Sequence, residues 1–276
     1  MRMLNSKVKT GLIYLTPIIA SLLFGFLCAL TLLTAPIELY SVTPFQEGIG
    51  SFGNALYFVI LVAVGATVLY ILLKRRNQKI ITFITGFALT AATLMLSIVY
   101  LTAIFSTVDV PYADVLSLIP SILITAITIL VIFRTPSKIS SFAILLLGGA
   151  LGTFLGSTIP TFSAILILGF LAVYDTFAVY RGPVGKIARS GLENLRGLSY
   201  SFKDIQMGLG DLTFYSMLAG HMLLNFGYTA FIASTIGILC GCALSFKMLE
   251  KKGMFPGLPF PILFGLTAGL LTTLIP

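Results

Sequence analysis

Charge is scarce in this chain: Asp, Glu, Lys and Arg together make up 9% of its 276 residues, while 58% are hydrophobic. Water-surrounded domains carry roughly 25% charged residues, so a soluble globule is excluded. Cysteine is scarce too. Cys28, Cys240 and Cys242 all fall inside apolar runs, and the C-x-C pair is too close and too isolated for a usual zinc site. Buried small apolar packing is the expectation for all three, with no metal and no organic cofactor. The chain also lacks a repeat of fixed period, a low-complexity tail and a polar segment long enough for a soluble domain. The stretch "GPVGK" at 182–186 has neither the G-x-x-x-x-G-K-[ST] spacing nor a preceding strand, which excludes a phosphate loop.

What is present in quantity is long apolar sequence, with a mean hydropathy of +1.06. Runs of about 18 residues or more read as membrane spans. They predict nine helices, near 11–34, 54–73, 80–106, 115–133, 139–158, 161–180, 205–224, 228–246 and 257–275. The expected fold is an all-α, multi-pass integral membrane protein with one transmembrane domain over 1–276. The first apolar run is about 24 residues, longer than the roughly 7–15 of a cleavable signal, and is expected to be retained.

Basic residues beside spans stay on the cytoplasmic side. All 17 Lys and Arg residues fall before the first span or after the second, fourth, sixth and eighth. The opposite loops carry Glu38, Glu47, Asp109 and Asp114 instead. With nine spans, this places the N-terminus in the cytoplasm and the C-terminus outside. The net charge of +8 is thereby an insertion signal, and nucleic acid is not an expected partner.

Of the nine acids in the chain, seven fit loops or helix ends. Asp175 in "LAVYDTFAVYRG" and Asp211 in "MGLGDLTFYSML" do not. An acid at membrane depth costs about 2.5–3.5 kcal/mol or more on insertion scales, and one that is kept there usually has a task. Asp175 lies six residues before Arg181 and Asp211 eight after Lys203, which at 1.5 Å per helical residue is about 9 Å and about 12 Å. The two carboxylates are therefore expected at similar depth on sequence-adjacent antiparallel helices, in the cytoplasmic half of the bilayer. Facing carboxylates in a low dielectric share a proton, giving a base beside an acid. That is equipment for amide hydrolysis, with water as co-substrate.

Around the pair, Gly208 and Gly210 remove side chains and would let another backbone come close, and Tyr174 would hydrogen-bond near the acids or fill space. His221, ten residues or about 15 Å beyond Asp211, reads as an interfacial polar residue in preference to a catalytic base. Gly152 with Gly156, and Gly237 with Gly241, make G-x-x-x-G faces expected to pack helices within the chain.

These motifs also resemble a known family. "AVYDTFAVYRGPVGK" resembles the Tyr-Asp helix of presenilins, and "GLGDLTFYSMLAG" their G-x-G-D helix. "PGLPFPILFGL" stands where that family has its Pro-Ala-Leu motif, with Pro256, Gly257 and Leu258 in its place. The departure is Gly257, where Ala is usual. The resemblance implies an intramembrane aspartyl protease of the presenilin and signal-peptide-peptidase clan, microbial in type by its compact form, with Asp175 and Asp211 as the catalytic pair. It further implies that Pro256, Gly257 and Leu258, with Tyr174, Gly208 and Gly210, help receive substrate. Residues 1–160 would then be a scaffold of helices 1–5, and 161–276 the catalytic helices 6–9. The partners implied are transmembrane-helix substrates and the lipid bilayer, at the cell membrane for a microbial protein. The compact basic connection 181–204 argues against maturation cleavage and obligatory partner subunits.

Three other readings compete. Acids in a membrane also carry protons or cations in transporters and channels, although such proteins commonly show internal repeats and interrupted helices. Prepilin-type peptidases share a G-x-G-D element but cut at the membrane surface. A catalytically silent membrane chaperone would leave two costly acids without a reason.

Overall fold

Two proline pairs divide the middle of the chain. Proline disfavours helical backbone in the residue before it. Thr135 (φ −95°, ψ 166°) and Ile159 (φ −100°, ψ 126°) are accordingly extended ahead of Pro136 and Pro160. Each pair closes one helix and opens the next. The computed structural model describes residues 2–75, 77–182, 197–202 and 205–274. Its elements are α1 (Arg2–Thr34), α2 (Gly50–Lys74), α3 (Gln78–Thr107), the single turn α4 (Ala113–Leu116), α5 (Leu118–Arg134), α6 (Ser137–Thr158) and α7 (Thr161–Tyr180). A hairpin of β1 (Ser199–Phe202) and β2 (Ile205–Gly208) follows, then α8 (Leu209–Lys252) and α9 (Pro259–Thr272). Most of the basic connection after α7, including Val184 and Lys186 of "GPVGK", lies outside the described residues.

Seven of the described helical stretches, with Ala113–Arg134 taken as one, are long and apolar enough to cross a membrane, and Pro259–Thr272 is a shorter apolar helix. The chain is a multi-pass membrane protein. At 44 residues, α8 would be about 66 Å long if straight, over twice the roughly 30 Å of bilayer hydrocarbon. Gly227 interrupts it with non-helical backbone (φ 85°, ψ −175°). Positive φ is a glycine conformation, and Gly253 closes the same helix at φ 73°.

One boundary differs from expectation. The helix expected to begin at 205 begins at Leu209, because Ile205–Gly208 pairs antiparallel with Ser199–Phe202. The pairing sets Tyr200 opposite Met207, and both side chains are buried. A period-2 alternation thus wins over helix for four residues. The helical rise from Lys203 to Asp211 consequently does not apply, and Asp211 enters in the first turn of α8.

Packing centres on α6, which touches α1, α3, α5, α8 and β1. Apolar surface gains nothing from leaving lipid for another helix, so close approach at small residues holds such bundles. The G-x-x-x-G faces serve that purpose inside the chain. A β-carbon on Gly152 would run into the Thr213 carbonyl oxygen and stand 2.7 Å from Ser216 Cβ, while one on Gly156 would stand 2.5 Å from the Met217 carbonyl oxygen. On the far half of α8, Gly237 meets Phe264 and Gly241 meets Pro261 of α9. Hydroxyls tie further pairs: Ser21 Oγ donates to the Leu145 carbonyl (3.0 Å) and Thr153 Oγ1 to that of Gly25 (3.0 Å), joining α1 to α6. Against α7, α2 is held by Asn54 Nδ2 donating to Ser163 Oγ (3.0 Å).

Cys28 and Cys242 are buried as expected, but Cys240 faces outward, since two positions of a helix separated by one residue point to different sides.

Gly152→Ala is expected to destabilise the protein by about 1–3 kcal/mol by overpacking the α6–α8 crossing. Gly65→Ala, where a β-carbon meets open space, should leave stability unchanged or raise it by up to about 1 kcal/mol. Thermal unfolding of both variants in detergent checks the opposite signs.

Candidate active site

Asp175 occupies α7 five residues before its end, where the helix dipole disfavours an anion. Its compensation comes from another element. The Leu258 backbone N–H donates to Asp175 Oδ2 at 3.0 Å, and the Gly257 N–H also faces that carboxyl. Asp211 is the third residue of α8, where the dipole favours negative charge. The N–H of Gly208, the residue that caps α8, faces its carboxylate, the side-chain half of a capping-box geometry.

The two acids meet at one short segment. Gly257 packs directly on Asp211: a β-carbon there would stand 3.0 Å from Oδ2 and 3.1 Å from Cγ and Oδ1. The consecutive residues Gly257 and Leu258 thereby bring one short segment against both carboxylates. Pro256 leads into this segment, and residues 254–256 have no regular secondary structure, as prolines at 256 and 259 favour. Both acids are half-buried. A cavity of about 70 Å³ opens beside Asp211, walled among others by Tyr215, Cys242, Ser245, Phe246 and Gly257. That is room for at least one water. A larger apolar cavity of about 400 Å³ between α1, α3, α5 and α6 has no acid in its wall.

The remaining sequence candidates divide. Tyr174 is half-buried beside Asp175. At Gly208 a β-carbon would be 3.8 Å from Asp211 Oδ2, and at Gly210 it would be 3.8 Å from the Phe214 ring. Among the described residues, no backbone from outside 208–211 comes within 4 Å of a β-carbon placed at either glycine; the tight approach belongs to Gly257. His221 departs from its expected interfacial place, being buried at 1% exposure. Its ring lies against the Gly156 carbonyl (2.8 Å), Thr161 Oγ1 (3.2 Å) and Asn225 Nδ2 (3.2 Å). The turn between α6 and α7 covers it, which no span-by-span reading foresees.

Sequence reasoning missed Tyr215 and Cys242. Tyr215 is four residues after Asp211, on the same helix face, and that spacing was available as a signal. Cys242 lies on the other side of the Gly227 break and had none.

No protein-family model matches the sequence. Presenilin-B of Dictyostelium discoideum is 32% identical over 120 residues, covering 39% of this chain. The chain spans about a quarter (25%) of the length of that relative. A solved structure described as a presenilin family intramembrane aspartate protease superposes with a TM-score of 0.65 at 20% identity, over 95% of this chain and 99% of the other. The chain has the presenilin-type fold. A second crystal form described in the same words gives a TM-score of 0.64 at 19% identity, over 94% and 96% of the two chains.

A carboxylate surrounded by apolar helices is a cost to the fold. Asp175→Asn and Asp211→Asn preserve shape and an accepting oxygen while removing the charge. Each is expected to unfold about 2–4 °C above the parent, or about 1 kcal/mol. Melting curves in detergent check this; a lower melting temperature would mean that the carboxylates hold the fold together.

Proposed function

We propose that this protein is an intramembrane aspartyl protease that hydrolyses peptide bonds within transmembrane helices, with Asp175 and Asp211 as its catalytic pair. The observation that carries the reading is the convergence of both acids on Gly257 and Leu258 within a presenilin-type fold. One carboxylate takes a proton from water as its oxygen adds to the scissile carbonyl carbon, and the other, protonated, donates to the carbonyl oxygen. Collapse of the tetrahedral intermediate breaks the C–N bond as the departing nitrogen takes up a proton, leaving a carboxyl and an amine. The titration belongs to the pair, so the two roles are not divided between named residues.

A helical substrate must unwind before it can be cut, and in lipid its freed amides need partners. Two elements beside the acids offer them by strand addition. The irregular residues 254–258 around Pro256 are one. The other is β2, which ends three residues before Asp211 and whose outer edge is unpaired among the described residues. The space at Gly208 and Gly210 supports their role in leaving room for substrate, as does the position of Tyr174 beside Asp175.

In this reading the chain crosses the membrane nine times, with α8 counted as two helices divided at Gly227 and α9 as the last. The N-terminus is cytoplasmic, the C-terminus outside, and the acids lie in the cytoplasmic half. At 14 residues, α9 spans about 21 Å, less than the roughly 30 Å of hydrocarbon. The irregular stretch before it makes up the difference, which draws Pro256–Leu258 below the membrane surface to the depth of the acids. Residues 1–160 act as scaffold and 161–276 carry the chemistry, in a single chain without obligatory partner subunits.

Purified protein in detergent is expected to cut a single-span helical peptide within its span. Asp175→Asn and Asp211→Asn should each lower the rate by about 1,000-fold or more while remaining folded. Gly257→Ala, which displaces the Asp211 carboxylate by a few tenths of an ångström, should lower kcat by up to about tenfold. Equal cleavage by parent and Asn variants would remove the reading, and proton or cation flux in liposomes would replace it.

A further inference from the structure

Tyr215 is fully buried in α8, at 1% exposure, and its hydroxyl donates to the Gly257 carbonyl oxygen at 2.8 Å. The same peptide unit continues into the Leu258 N–H, which donates to Asp175 Oδ2 at 3.0 Å. A trans peptide is planar, with its C=O and N–H pointing in opposite directions. The phenol, the peptide and the carboxylate therefore form one line of hydrogen bonds from α8 to α7. Hydrogen bonds at the two ends of an amide polarise each other, and fixing one end orients the other.

We propose that Tyr215 is a positioning residue that aims Asp175 through the Gly257–Leu258 peptide. Gly257 has no side chain by which packing could hold it, and glycine backbone is the most permissive of all. The Tyr215 hydroxyl supplies the restraint that a side chain would otherwise provide. The buried Cys242 thiol on the far half of α8 lines the same small cavity as the phenol. Spacing links the two acids to this device: Asp211 and Tyr215 are one turn apart on a single helix face. The helix that carries one acid thus also orients the other.

This role rests on the protease reading above. A tyrosine that merely filled space would be replaced by phenylalanine at little cost, which separates the two possibilities. The test is Tyr215→Phe in the full chain, measured beside the parent, Asp175→Asn and Asp211→Asn with the single-span peptide. Loss of aim at the reacting group is expected to lower kcat by up to about 100-fold, with KM within about twofold of the parent. The melting temperature should stay within about 4 °C. A kcat within about twofold of the parent overturns the assignment. So does a fall in kcat accompanied by a raised KM and a larger loss of melting temperature, or a failure to fold, because each makes Tyr215 a packing residue. If the parent does not cut, or the Asn variants cut as well as the parent, the protease reading itself fails and takes this role with it.

Discussion

Everything in this molecule depends on how closely α8 can approach its neighbours. In a bilayer, helices lose no water when they meet, so the force that builds soluble cores is missing and contact distance takes its place. Gly152 and Gly156 bring α6 onto the first half of α8, and Gly237 and Gly241 bring α9 onto the second. Side chains at these positions would separate the axes. The first crossing fixes the helix that bears Asp211, and the second delivers the segment before α9 to that acid. Two small-residue faces, separated by the break at Gly227, therefore assemble the site from distant parts of the sequence.

The site itself shows how a membrane protein keeps acids where solvent would ordinarily be needed. Neither carboxylate has a cationic partner among the described residues. Backbone donors take that place: Leu258 N–H at Asp175, and at Asp211 the Gly208 N–H together with the dipole of α8. Backbone amides suit this task because they bring dipoles without adding a second buried charge. They also leave both carboxylates free to exchange protons, which an ion pair with Lys or Arg would oppose. The irregular segment before α9 is thus as necessary to the acids as the helices that bear them.

Much of this was legible in the residues. Long apolar runs marked the helices, the Ile159-Pro160 pair marked the turn between α6 and α7, and two acids without a loop to explain them marked the candidate site. The G-x-x-x-G pairs were readable as internal packing faces, because four-residue spacing puts both glycines on one side of a helix. Other features were not legible. The sequence around 205 is apolar enough for a helix, and only the burial of Tyr200 against Met207 turns it into a strand. His221 looked like an interfacial residue because its covering turn comes from α6 and α7, some 60 positions away in the chain.

Composition, periodicity and a few isolated polar residues determined that the chain is a helical membrane protein and that Asp175 and Asp211 are its unusual groups. Those properties are local, set by the transfer of each side chain or helical segment into lipid. Which residues meet was decided by tertiary structure alone. The placing of Gly257 against Asp211, the bond from Leu258 to Asp175, and the bond from Tyr215 to the peptide between them all join a helix to the irregular segment before α9. Such contacts depend on axis distances and rotations that arise from the whole bundle packing at once, and no window of sequence contains them.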